Sequence, residues 1–360
     1  MTVAAATIAS EERKRTYHTL DALRGAAALI IITRHCDQLL GGAVVPQSFL
    51  AVDLFFVLSG VVIANAYERR LQGGLSLWEF TKIRMIRLYP LYLIGITLGF
   101  LQHEGQAVTG HRFSPVEAAL TLAFAIPMLL APPGVSALNG PRWTLFYEMI
   151  SNLIYAGFIR RLTDRVLLVV IGISAAVLIV SAFWRNSLEY GYGYQDFAFG
   201  LARVCYSFFV GVMLWRWRRP GSQKSEPIAW ALVAITAAVL LAPVTGVWSV
   251  PYELIAALLV FPAMVCVAMA TEVSPRTASA FGLLGVLSYA TYVLHQPASS
   301  LFEAVLHRAS KIDAAQISPY GFFAFLLALI LACLAIDKFY DLPVRRWLAA
   351  RLLANPRPSP

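Results

Sequence analysis

Long apolar runs, separated by short polar or basic stretches, follow one another along nearly the whole chain. They lie at 20–40, 50–67, 83–101, 144–160, 166–184, 197–215, 228–243, 251–270, 282–305 and 319–338. A helix rises about 1.5 Å per residue and a hydrocarbon core is about 30 Å thick, so each run predicts one membrane crossing. The expected fold is an all-α polytopic membrane protein of about ten transmembrane helices. An eleventh stretch, 116–131, is short, contains Pro127 and runs into Pro132 and Pro133, so hydropathy alone leaves its crossing open.

The basic residues settle that reading. With the N-terminus inside, the connection holding Arg69, Arg70, Lys82, Arg84 and Arg87 is cytoplasmic, as positive loops prefer. If 116–131 crossed, Arg160, Arg161 and Arg165 would fall outside, and so would Arg216, Arg218, Arg219 and Lys224. A re-entrant or interfacial 116–131 puts all of them inside, together with Lys338, Arg345, Arg346 and Arg351. Both termini are then cytoplasmic, although His307, Arg308 and Lys311 end up outside with only Asp313 against them.

Three regions follow: a cytoplasmic N-terminal segment over 1–19, a transmembrane domain over 20–343 and a basic cytoplasmic tail over 344–360. Arg13, Lys14 and Arg15 just ahead of the first run look like an anchor rather than part of a cleaved signal. No internal repeat is visible and no appended soluble domain is expected.

Composition narrows the class. A chain of 360 residues that is 59% hydrophobic, only 14% charged and has a mean hydropathy of +0.67 is neither a soluble enzyme, nor a disordered chain, nor a disulfide scaffold. The net charge of +9 belongs to cytoplasmic loops and does not imply nucleic acid. Cys36, Cys205, Cys266 and Cys333 lack metal or disulfide spacing and read as small core residues. The six histidines form neither HxxxH nor HExxH, so no metal is expected.

Ionisable groups inside hydrocarbon are costly and mark candidate sites. In LDALRGAAALIIITRH, Arg24 and His35 are eleven residues apart, which on a helix places them on one face about 16 Å apart. Arg24 either snorkels to headgroups or binds a ligand, and His35 either satisfies a carbonyl or acts as a base. VDLFFVLSG brings Asp53, Ser59 and Gly60; Gly60 suggests close helix packing, and Ser59 is a weak nucleophile candidate. KIRMIRLYP sets Arg84 and Arg87 on one side of a helix, as membrane anchors or as a phosphate clamp. NGPRWTLFYE places Trp143 at an interface and Glu148 within the next span, where a carboxylate needs a partner or a catalytic task. Arg203 and His295 stand in apolar surroundings and serve either as glue or in function.

LDALRG with His35, VDLFFVLSG, RMIRLYP, WTLFYE, ARVCYSFFVG, LSYATYVLHQP and FYDLPVRRWL, in that order, resemble the acyltransferase 3 family of membrane O-acyltransferases, stand-alone type. The resemblance implies transfer of an acyl group, most often acetyl, from cytoplasmic acyl-CoA to a hydroxyl of a cell-envelope or exported carbohydrate or lipid-linked glycan, in a bacterial inner membrane. It implies His35 and Glu148 as catalytic residues, Arg24, Arg84 and Arg87 as the CoA-binding set, and Asp21, Ser59, Trp143, Arg203, Tyr292 and His295 in support. No metal is implied. Thr144 stands where the family more often has Ser, and Asp341 where it has Glu. On this view His35 deprotonates the acceptor hydroxyl, while Glu148 orients the imidazole or itself takes the proton; a transient acyl-histidine stays open. The alternative is a carrier or flippase of a lipid-linked sugar or small metabolite, against which the lack of a repeated half and the Arg, His and Glu set weigh.

Overall fold

In the computed structural model, residues 17–105, 113–218 and 223–353 are described. The basic anchor Arg13, Lys14 and Arg15, and Arg219 in the later basic cluster, lie outside the described residues. The chain folds into eleven helices among those residues: α1 (His18–Thr33), α2 (Ala51–Gln72), α3 (Leu77–Gly105), α4 (Pro115–Ala125), α5 (Arg142–Phe158), α6 (Asp164–Arg185), α7 (Phe197–Trp217), α8 (Glu226–Leu240), α9 (Gly246–Ala270), α10 (Pro275–Ser310) and α11 (Tyr320–Leu352). A two-residue parallel ladder, β1 (Gln223–Lys224) on β2 (Thr271–Glu272), ties two connections together. The protein is an all-α polytopic membrane protein.

Seven helices, α2, α3, α6, α7, α9, α10 and α11, are long and apolar enough to cross a membrane. The expected ten is reached only by adding α1, α5 and α8, which have 16, 17 and 15 residues. At about 1.5 Å per residue these three cover about 22 to 26 Å, so flanking turns must complete their paths. Helix α1 ends at Thr33, seven residues before the apolar run does. Arg34 turns aside to pair with Glu189, and Gly41 and Gly42, both at positive φ, reverse the chain.

The stretch expected to be re-entrant or interfacial forms a short helix followed by a turn. Helix α4 has 11 residues, about 16 Å, half of what a crossing needs. It opens with a capping box in which Ser114 accepts from the Glu117 amide and Glu117 from the Ser114 amide. Its far end reaches the middle of α3, where the Tyr92 hydroxyl donates to the Ala125 carbonyl at 2.6 Å and the Tyr89 hydroxyl to that of Ile126. The chain then turns through Met128, at φ 62°, and returns towards α5. Irregular backbone at this depth is tolerated because protein hydroxyls replace water.

Two prolines inside long helices are treated the same way. Proline lacks the N–H that would bond the carbonyl four residues earlier. Pro262 in α9 frees the Leu258 carbonyl, which accepts from the Tyr206 hydroxyl at 2.6 Å. Pro297 in α10 frees the Val293 carbonyl, which accepts from Asn139 Nδ2 at 3.0 Å. Close packing follows from small residues: Gly60 of α2 and Gly211 of α7 face one another so tightly that a Cβ on either meets the partner's backbone.

Replacing Gly60 by Ala should therefore cost about 1–3 kcal/mol by overpacking, and Tyr92 by Phe a similar amount by orphaning the Ala125 carbonyl. Thermal unfolding of the purified protein in detergent checks both. An unchanged Tm for Gly60→Ala would contradict the close backbone approach.

Candidate active site

A cavity of about 420 Å³ opens among α1, α2, α3, α5 and α10. Its polar lining collects sequence candidates from five helices: Asp21 and Arg24, Ser59, Arg84 and Arg87, Glu148, and Tyr292. The three-residue spacing of Arg84 and Arg87 turns both towards it, as helix geometry requires.

Each arginine meets an acid. Arg24 donates from Nη2 to Asp21 at 2.7 Å and to the Gly285 carbonyl at 3.1 Å, and from Nε to Ser288 Oγ at 2.9 Å. Gly285 permits this, since a Cβ there would strike the Asp21 side chain. Arg84 Nη2 donates to Glu148 Oε1 at 2.7 Å, and Ser59 Oγ donates to the same oxygen at 3.2 Å. Arg87 lies 4.0 Å from Asp341 and over the ring of Tyr289 at 5.4 Å. Asp341 has no exposed surface and also pairs with Arg345 at 2.7 Å, within the last helix. Arg84 is only 8% exposed, so Glu148 neutralises a charge that hydrocarbon would otherwise penalise.

At the far wall the Tyr292 hydroxyl shares a 2.7 Å hydrogen bond with Thr144 Oγ1. Beyond it lies His295, with its ring centroid 6.0 Å from that of Tyr292. His35 follows, 4.9 Å from His295. His35 does not line the cavity; it lies just past the end of α1, with its carbonyl accepting from Ser299 Oγ at 3.4 Å.

Two sequence expectations change here. Arg24 and His35 do not share a continuous helix face, because α1 stops two residues before the histidine. Glu148 is not paired with His35: its oxygen is engaged by Arg84 and Ser59. Arg203 and Trp143 form a separate cluster. Arg203 makes a two-point bond to Asp53, Nε at 2.8 Å and Nη2 at 2.6 Å, with both residues 1% exposed, and lies 5.8 Å from the Trp143 ring. That pair joins α2 to α7 and is structural glue.

Sequence reasoning does not reach Tyr289 and Asp341 as partners of Arg87. The available signals are slight: Tyr289 stands one helical turn before Tyr292, and Asp341 two residues before Pro343, closing a π-turn over Asp337–Asp341.

With this geometry in place, comparison with known proteins gives the class. The acyltransferase domain of the acyltransferase 3 family matches residues 17–338, and the chain belongs to that family of acyltransferases. A curated relative, "Protein 2 in picA locus" of Rhizobium radiobacter, is 37% identical over 188 residues, covering 48% of this chain and 98% of that protein. No solved structure matches the chain.

Removing one partner of the Arg84–Glu148 pair should be worse than removing both. Glu148→Ala leaves a buried guanidinium uncompensated and is expected to cost about 3 kcal/mol, whereas Arg84→Met with Glu148→Leu should recover most of that loss. Melting of the three proteins in detergent tests it, and a double variant no better than Glu148→Ala would count against the pairing.

Proposed function

We propose that the protein is a membrane O-acyltransferase that moves an acyl group, acetyl in the first instance, from cytoplasmic acyl-CoA to a hydroxyl of a cell-envelope or exported carbohydrate. The observation that carries this reading is the convergence of Arg24, Arg84 and Arg87 on one cavity whose far wall leads through Tyr292 and His295 to His35. Guanidinium groups bind phosphate oxygens with two parallel donors, and three of them suit the phosphates of CoA. Val52, Phe55, Phe56 and Leu145 give the cavity an apolar wall along which a pantetheine arm can lie. For the thioester to meet His35, the Thr144–Tyr292 contact must yield.

The chemistry then balances simply. The acceptor oxygen attacks the thioester carbonyl as its proton passes to the neutral imidazole of His35. The carbon–sulfur bond breaks, the leaving thiolate takes that proton, and the products are the ester and CoA thiol. The excess of basic residues at the end of the bundle where α1 begins supports a cytoplasmic assignment for that end, with both termini there and the acceptor hydroxyl approaching from the other side of the inner membrane.

Membranes carrying the protein, supplied with radiolabelled acetyl-CoA and cell-envelope carbohydrate, should label the carbohydrate. His35→Ala at matched expression should lose at least about 100-fold in rate, as expected of a missing general base. Arg84→Ala and Arg87→Ala should instead raise the donor KM about 10-fold or more by removing a charge-assisted contact. A folded His35→Ala protein with full activity would overturn the base assignment. No label from wild type with several donors and acceptors would favour a carrier.

A further inference from the structure

His295 sits on α10 two residues before Pro297, fully buried. Its Nδ1 lies 2.7 Å from the Tyr292 carbonyl and 3.2 Å from that of Thr291. Carbonyls only accept, so Nδ1 carries the hydrogen, and in a neutral imidazole Nε2 is then a bare acceptor. That Nε2 is buried and has no hydrogen-bond partner. An orphaned acceptor in such surroundings costs about 1–3 kcal/mol and asks for a donor. The ring facing it is that of His35, at a centroid separation of 4.9 Å and an interplanar angle of 49°. His35 is thus the neighbouring ring that can supply an N–H donor to it. The backbone is already held for this: Ser299, one turn beyond His295, donates to the His35 carbonyl.

We propose that His295 is the positioning residue of the reaction, its Nε2 accepting a hydrogen bond from one nitrogen of His35 so that the other nitrogen faces the acceptor hydroxyl unprotonated. The inference rests on the acyltransferase reading above and deepens it. His295 does for His35 what a carboxylate does for the histidine of a hydrolase triad: it selects the tautomer and aims the ring. It takes no proton itself. As His35 accepts the hydroxyl proton, its other N–H stays bonded to His295, and the proton leaves on the CoA thiolate.

Two substitutions separate this role from a merely structural one. In His295→Asn the side-chain amide reaches the Nδ1 position and keeps the bond to the Tyr292 carbonyl, but nothing occupies the Nε2 position. In His295→Gln the amide oxygen reaches the Nε2 position. With radiolabelled acetyl-CoA and cell-envelope carbohydrate, His295→Gln should stay within about fivefold of wild-type kcat, while His295→Asn should fall about 10- to 100-fold with the donor KM unchanged, the range typical of a lost orienting contact. Activity in His295→Asn equal to or above that of His295→Gln would overturn the proposal while leaving the acyltransferase reading intact. Absence of transfer in wild type would overturn that reading and the proposal with it. Should neither variant fold, ¹⁵N spectra of histidine-labelled wild type decide: a buried histidine with protonated Nδ1 and hydrogen-bonded Nε2 is expected, and a protonated Nε2 on His295 would refute the assignment.

Discussion

Hydrocarbon offers no hydrogen bonds, so a polar group that this chain carries into the membrane is stabilised only where the protein supplies its partner. That requirement shapes the backbone first. The carbonyls released by Pro262 and Pro297, and those at the end of the half-length helix α4, are each met by a side chain of a different segment. Tyrosine and asparagine therefore act here as substitutes for missing amides. Tyr206, Asn139, Tyr89 and Tyr92 supply the donors at those breaks.

The same requirement arranges the charges. Arg24, Arg84 and Arg87 are set against Asp21, Glu148 and Asp341, so the cavity is lined by three cations whose cost of burial is offset before any ligand arrives. The acids come from three different helices, α1, α5 and α11, and the arginines from α1 and α3. A polyanion entering such a site meets guanidinium groups already fixed in place, and association then costs less ordering of side chains. The Arg203–Asp53 pair is the contrasting case: fully sequestered and away from the cavity, it fastens two helices and offers nothing to a ligand.

How much of this can be read from the sequence depends on which direction the information runs. Hydropathy and the positive residues report depth along the membrane normal, and they mark the seven long apolar helices, the short helix within 116–131 and the arginine pair on one helix. They do not report which faces meet. Glu148 and His35 belong to one catalytic set only through the family resemblance, and the placement of α5 gives Glu148 to Arg84. The end of α1 is similarly hidden, since apolar residues continue to Leu40 while Arg34, drawn to Glu189, and two glycines at positive φ turn the chain. His295, by contrast, is visible as a motif residue, but only the fold shows that one of its nitrogens is already spent on backbone carbonyls.

The bond from Asn139 to the Val293 carbonyl joins two parts of the molecule that sequence keeps 154 residues apart. Val293 lies two residues before His295 and four before the proline that interrupts α10, and Gly140 next to Asn139 donates to Gln296 at 2.7 Å. The limb that returns from α4 to α5 thus grips α10 on both sides of the histidine, as a splint grips a fracture. Each bond passes through a single side chain, that of Asn139 or of Gln296, so a displacement of that limb pulls on α10 immediately before and after the imidazole.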